Sequence, residues 1–189
     1  MLALRILIVS LGLWSMFVLS PKVASAVERQ HHVGIDPSLS ILKVADKSTT
    51  SVGSGLSVHY TYGLSDQFNL MAELNASRVA MSQDQDQPSS PRTRPTTVAH
   101  GLGGIGYVID VLRWVPYVGI LVGGYHLSGG TLDANALVFG GAVQLGLNYQ
   151  LTRHWAAGAS GQQHFLVTQL GRYPSYTTVM LRLEYMWGF

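Results

Sequence analysis

Alternation with a period of two dominates this chain. Over residues 137–150, Leu137, Phe139, Val143, Leu145, Leu147 and Tyr149 fall on one face, and Gln144, Gly146, Asn148 and Gln150 on the other. Successive side chains of a strand point to opposite sides, so the pattern predicts a strand with one apolar and one polar face. The last segment repeats it: Val179, Leu181, Leu183, Tyr185, Trp187 and Phe189 alternate with Thr178, Met180, Arg182, Glu184, Met186 and Gly188. Residues 52–62 set Leu56, Val58, Tyr60 and Tyr62 against Gly53, Gly55, Ser57, His59 and Thr61. Residues 68–81 set Phe68, Leu70, Ala72, Leu74 and Ala76 against Asn69, Met71, Glu73, Asn75 and Ser77.

Four more segments complete the set. Residues 155–168 carry Ser160, Gln162 and His164 on one side and Trp155, Ala157, Ala159 and Phe165 on the other, with Gln163 interrupting the apolar side. Residues 97–110 and 115–128 are apolar on both faces and rich in glycine, so periodicity does not assign their facing. In residues 32–44, Val33, Ile35, Leu39 and Ile41 alternate with Gly34, Asp36, Ser38 and Ser40, and Pro37 predicts a bulge or register break. The total is eight strands. The connections after the second, fourth and sixth, at 63–66, 111–114 and 151–154, are tight. Those after the first, third, fifth and seventh, near 45–50, 83–95, 129–136 and 169–175, are longer. The segment 83–95, with Asp84, Asp86, Pro88, Pro91, Arg92, Arg94 and Pro95, reads as an exposed loop.

Composition decides what such strands build. Of 189 residues, 47% are apolar and only 12% charged, too few charges for an ordinary soluble surface. Beyond the leading segment there is no apolar run of the roughly 18 residues a membrane helix requires. A chain that crosses a membrane without helices must pair its backbone between strands and close the sheet, which predicts an all-β, antiparallel up-and-down barrel. Residues 1–26 have the form of a secretory signal: Arg5, an apolar run over 6–19, the helix-breaking Pro21, and Ala24-Ser25-Ala26 as the cleavage site. The expected mature domain is 27–189. Removing Arg5 and Lys22 leaves 10 basic residues of 12 against 10 acidic ones, a formal net charge of zero. That balance gives no electrostatic case for nucleic acid. With no cysteine there is neither a disulfide framework nor a thiolate metal site.

The chain resembles the small eight-stranded outer-membrane β-barrel family, the OmpA/OmpX-type porin-like domains. The resemblance rests on the signal, on Tyr60-Thr61-Tyr62-Gly63-Leu64-Ser65-Asp66-Gln67-Phe68, and on Leu183-Glu184-Tyr185-Met186-Trp187-Gly188-Phe189. It implies a bacterial outer-membrane location and short periplasmic turns alternating with longer outer loops. The expected surroundings are outer-membrane lipid and lipopolysaccharide, and a monomer is expected. It also implies that Tyr185, Trp187 and Phe189 form a C-terminal insertion signal read by the barrel assembly machinery. The peptidoglycan-binding half of larger members is not expected after Phe189.

The inward polar set is Asp36, His59, Glu73, His164, Arg182 and Glu184. Isolated buried charges are costly, so Arg182 is expected to bridge one or more of Glu184, Glu73 and Asp36. An interior that eight strands leave nearly full favours a structural plug over a gated ion path. His126-Leu127-Ser128 has the His-x-Ser spacing of the lipid A deacylase family, whose pair would act as base and nucleophile. That family carries the pair on its penultimate strand, followed by Asn. Here that strand has His164-Phe165-Leu166, and the acid nearest to His126 in the chain, Asp133, lies in the next loop. His126 is therefore expected to be an interior or rim residue. His31-His32 lack a third ligand. No catalytic, metal or cofactor-binding residue is assigned. The expected function is a non-enzymatic barrel with an envelope-structural or surface-interaction role. A narrow porin-like channel is the alternative, and a lipid A-modifying hydrolase stands third.

Overall fold

The computed structural model describes residues 28–43, 50–80, 95–109, 113–130, 134–169 and 175–188. The segment 1–26 expected as a leader, Phe189 and nearly all of the segment 83–95 lie outside them. Eight strands follow in order: β1 His31–Lys43, β2 Thr50–Gly63, β3 Phe68–Val79, β4 Thr97–Val108, β5 Trp114–Ser128, β6 Ala136–Gln150, β7 Trp155–Phe165 and β8 Ser175–Trp187. Each pairs antiparallel with its neighbour, and β8 closes onto β1. Strands of 11 to 15 residues are long enough to cross a bilayer at a tilt. Among the described residues no helix is long and apolar enough to do so.

Closure fixes the stagger. Following paired residues from His31 through Tyr62, Leu70, Ile105, Ile120, Val143, Gln163 and Thr177 returns to β1 at Ile41, ten residues further along. Eight strands staggered by that amount tilt by about 40° and enclose a space that side chains fill. Alternation then sorts the residues. Leu74, Ile120, Leu145 and Leu181 stand outside, each more than 60% exposed, where lipid would cover them.

Outside, an aromatic belt rings the short-turn end, with Tyr60, Phe68, Tyr107, Trp114, Tyr149, Trp155, Tyr185 and Trp187 drawn from every strand but β1, which adds His31. Its members touch: Trp155 meets Tyr185 edge-on at 5.2 Å between centroids, and His31 stacks on Trp187 at 5.3 Å. Such a girdle marks the boundary between hydrocarbon and headgroups.

The structure corrects three expectations. Pro37 makes no bulge, since the β1–β2 register runs unbroken through Pro37↔Leu56. Only the β1–β8 ladder lapses, at Asp36 and Pro37, and it resumes in the same register at Ser38↔Met180, because proline has no N–H to give. β7 ends at Phe165 rather than 168, and Leu166 turns inward ahead of a 3-10 turn, Val167–Gln169. Trp114, expected in a turn, opens β5.

Candidate functional site in the barrel interior

Inside the barrel lies a polar column in two tiers. The tier nearer the short turns is built on His59, whose register partner is Gly34. A side chain at position 34 would collide with the imidazole, so the glycine makes room for it. His59 Nδ1 donates to Asp36 Oδ2 at 2.6 Å and Nε2 to Glu184 Oε1 at 3.1 Å. Glu184 also meets His32 Nδ1 at 3.3 Å and accepts from Asn148 Nδ2 at 2.9 Å. Arg182 Nε lies 3.5 Å from Asp36 and 3.6 Å from Glu184. Its Nη1 donates to the hydroxyl of Tyr117, whose ring sits over Gly146 as Gly34 sits under His59. The Asp36 and Glu184 carboxylates thus face the Arg182 guanidinium and the His59 imidazole, the pairing that buried charges require.

The second tier, toward the long loops, is built on Glu73. Gln162 Nε2 donates to it at 2.7 Å, and His100 Nε2 at 3.2 Å. The other ring nitrogen of His100 accepts from the Tyr176 hydroxyl at 3.0 Å. His164 lies flat against Tyr176, 4.1 Å between centroids, and bonds Tyr125 and Thr178 through its two nitrogens, each at 3.1 Å. Hydroxyls continue the network: Ser40 donates to Ser77, Ser77 to Asn75, and Asn75 to Ser57 at 2.6 Å. His59 and Glu73 are register partners, which sets the tiers side by side.

All six inward residues expected from the sequence point into the barrel, but they divide between the tiers. Asp36, His59, Arg182 and Glu184 meet one another. Arg182 meets two of its three candidate partners, Asp36 and Glu184, whereas Glu73 and His164 do not join them and Glu73 pairs with His100. The tilt is the reason, because it places the Glu73 carboxylate level with β4 and β7 side chains further from the short turns. His100, Tyr117, Tyr125 and Tyr176 were missed. The first three lie on β4 and β5, whose apolar inward neighbours Val98, Leu102, Leu121 and Leu127 hide the alternation. The only signal was a polar or hydroxyl-bearing residue within a glycine-rich apolar stretch.

One further expectation changes. His126 is not interior: it faces outward near the loop-end rim of β5, two residues from the strand's end, between its register partners Ala99 and Leu137. His31 and His32 point to opposite faces, one onto Trp187 and the other toward Glu184, so they cannot hold one ion between them. Among the described residues no group of three or more ligating side chains is placed to hold a metal.

A closed, eight-stranded antiparallel barrel with an aromatic belt and an apolar outer wall defines a transmembrane β-barrel. The family model described as Outer membrane protein beta-barrel domain matches residues 11–186, and the chain belongs to that family. No curated protein gives a significant match. Solved structures with the same fold include Neisserial surface protein A, at 13% identity and a TM-score of 0.59, covering 84% of this chain and 97% of the other. Ail, the attachment invasion locus protein of Yersinia pestis, aligns at 14% identity and a TM-score of 0.55, covering 85% and 99%. The N-terminal β-barrel domain of Pseudomonas aeruginosa OprF aligns at 13% identity and 0.52, covering 85% and 98%. At these identities the likeness is one of fold.

Proposed function

We propose that this protein is a sealed, non-enzymatic barrel of the outer membrane that supports envelope integrity and presents its long loops at the cell surface. The filled interior carries the reading. Asp36, Ser57, Gln144, His164 and Thr178 are wholly inaccessible to water, and Val79, Val98, Leu127, Val138 and Leu166 pack across the lumen at the long-loop end. A pore lined for solute passage would leave its polar residues wet. The same plug ties strands β1, β2, β6 and β8 together through Asp36, His59, Asn148 and Glu184, which stiffens the closure between first and last strands.

The polar column itself favours one other reading, a narrow path for small ions gated by Arg182. Planar-bilayer recording on refolded protein separates the two: the sealed barrel stays silent, and a pore gives unit steps. A hydrolase has less support. His126 and Ser128 share the outer face, but the register neighbours of His126 are Ala99 and Leu137, which supply no acid. Lipopolysaccharide around the barrel, a monomeric state and recognition of Tyr185 and Trp187 by the assembly machinery belong to the same proposal.

A further inference from the structure

The outer wall is not uniformly clad in large apolar side chains. Toward the long loops, across β3, β4 and β5, it sinks into a groove of about 510 Å3. Ala76, Ala99, Gly101 and Gly124 form the floor, and Leu74 and Leu137 the sides. The two glycines are not demanded by the protein's own packing. A Cβ at Gly124 would meet only Leu137 Cδ1, 4.0 Å away, and one at Gly101 only the movable Leu74 Cδ2 at 3.1 Å. Inward Gly123, by contrast, would drive a Cβ into the backbone of Gly101 and Leu102. Glycine weakens a strand and commonly marks close approach of something from outside. At the loopward end of the groove stand two outward basic residues: Arg78, two positions beyond Ala76 on β3, and His126, two beyond Gly124 on β5.

We propose that this groove is a binding site for lipopolysaccharide, seating one acyl chain of its lipid A against the glycine floor while a lipid A phosphate meets Arg78 and His126. An apolar slot running from the hydrocarbon toward the loops, with a guanidinium and an imidazole at its outer end, matches an anionic head above a saturated chain. Hydrocarbon is no better solvated by the groove than by bilayer, so selectivity comes from fit and from the charged head. The site rests on the proposed orientation, in which the long loops face outward and the groove lies in the outer leaflet.

The test uses the full mature barrel in phosphatidylethanolamine nanodiscs doped with bisphosphorylated lipid A, with retained lipid counted by native mass spectrometry. Wild-type protein is expected to keep lipid A in preference to phosphatidylethanolamine. Arg78→Gln should lower retention about fivefold, the effect of losing one cation beside an anionic head. Gly124→Leu, which fills the floor, should lower it severalfold while heat-modifiable mobility shows a folded barrel. Dephosphorylated lipid A should be kept no better by wild type than by Arg78→Gln. Equal retention in wild type and both variants overturns the proposal, as does wild-type retention of dephosphorylated lipid A that equals its retention of the bisphosphorylated form. A barrel dimer that Gly124→Leu dissociates overturns it too, since the occupant is then a second copy. Should Gly124→Leu fail to fold, the Arg78→Gln comparison decides alone. Both nanodisc leaflets carry the lipid, so an inverted barrel would still bind. Failed retention therefore counts against the groove, whereas inaccessibility of the long loops to protease on intact cells counts against the orientation.

Discussion

Arg182 and Tyr117 meet inside the barrel, the guanidinium of β8 donating to the phenol of β5 three strands away. With Asp36 and Glu184 on its other side, Arg182 is the cation about which the lower tier is arranged. Arg182→Met is expected to destabilise the refolded barrel by about 3 to 5 kcal/mol, the cost of leaving buried carboxylates without their partner. Adding Asp36→Asn should recover part of that loss. Urea titrations on single and double mutants measure both, and a full, additive loss in the double mutant would separate the two residues.

The paired glycine and ring at Gly146 and Tyr117 make a steric prediction. Gly146→Ala places a methyl group where the Tyr117 ring now lies and should cost about 1 to 3 kcal/mol. At Gly161 a Cβ meets nothing within 4 Å, so Gly161→Ala should be neutral to within about 0.5 kcal/mol. Unfolding midpoints compared side by side give the answer.

The belt makes a third. Tyr185 and Trp187 stand together on the outer face of the closing strand, 6.0 Å between ring centroids. Changing both to Ser should sharply reduce the folded, heat-modifiable fraction in the membrane, whereas Thr177→Ser at the other end of the same strand should not. Gly188 is a poor control because its φ of 91° is one that other residues resist. Normal levels of folded double mutant would remove the aromatics from any part in insertion.

How much of this could be read from the chain depended on which strand one read. Where the lumen is polar, as along β2, β3, β6 and β8, each inward Ser, Asn, His or Glu breaks an apolar run and announces the facing. Where the lumen is apolar, along β4 and β5, Val98, Leu102, Leu121 and Leu127 point inward and Ile105, Ile120 and Val122 outward, so both faces look alike. His100 was lost in that uniformity, and with it the partner of Glu73. Alternation gives the face of a residue but not its height. The height follows from the ten-residue stagger, which only closure determines, and it is what assigns Asp36 to Arg182 and Glu73 to His100. Gln163 shows a smaller effect: it interrupts the apolar face of β7 because it accepts a 2.6 Å hydrogen bond from Thr177 on the outer wall.

Single-channel recording on the refolded wild-type protein in a planar bilayer shows whether the column of side chains seals the barrel. The filled interior predicts a silent membrane across the voltage range the bilayer tolerates. It also predicts continued low conductance in Arg182→Met, whose loss appears as stability alone. Reproducible unit steps from the wild-type barrel, altered in size or gating by Arg182→Met, would mean an open lumen and make the same residues the lining of a pore.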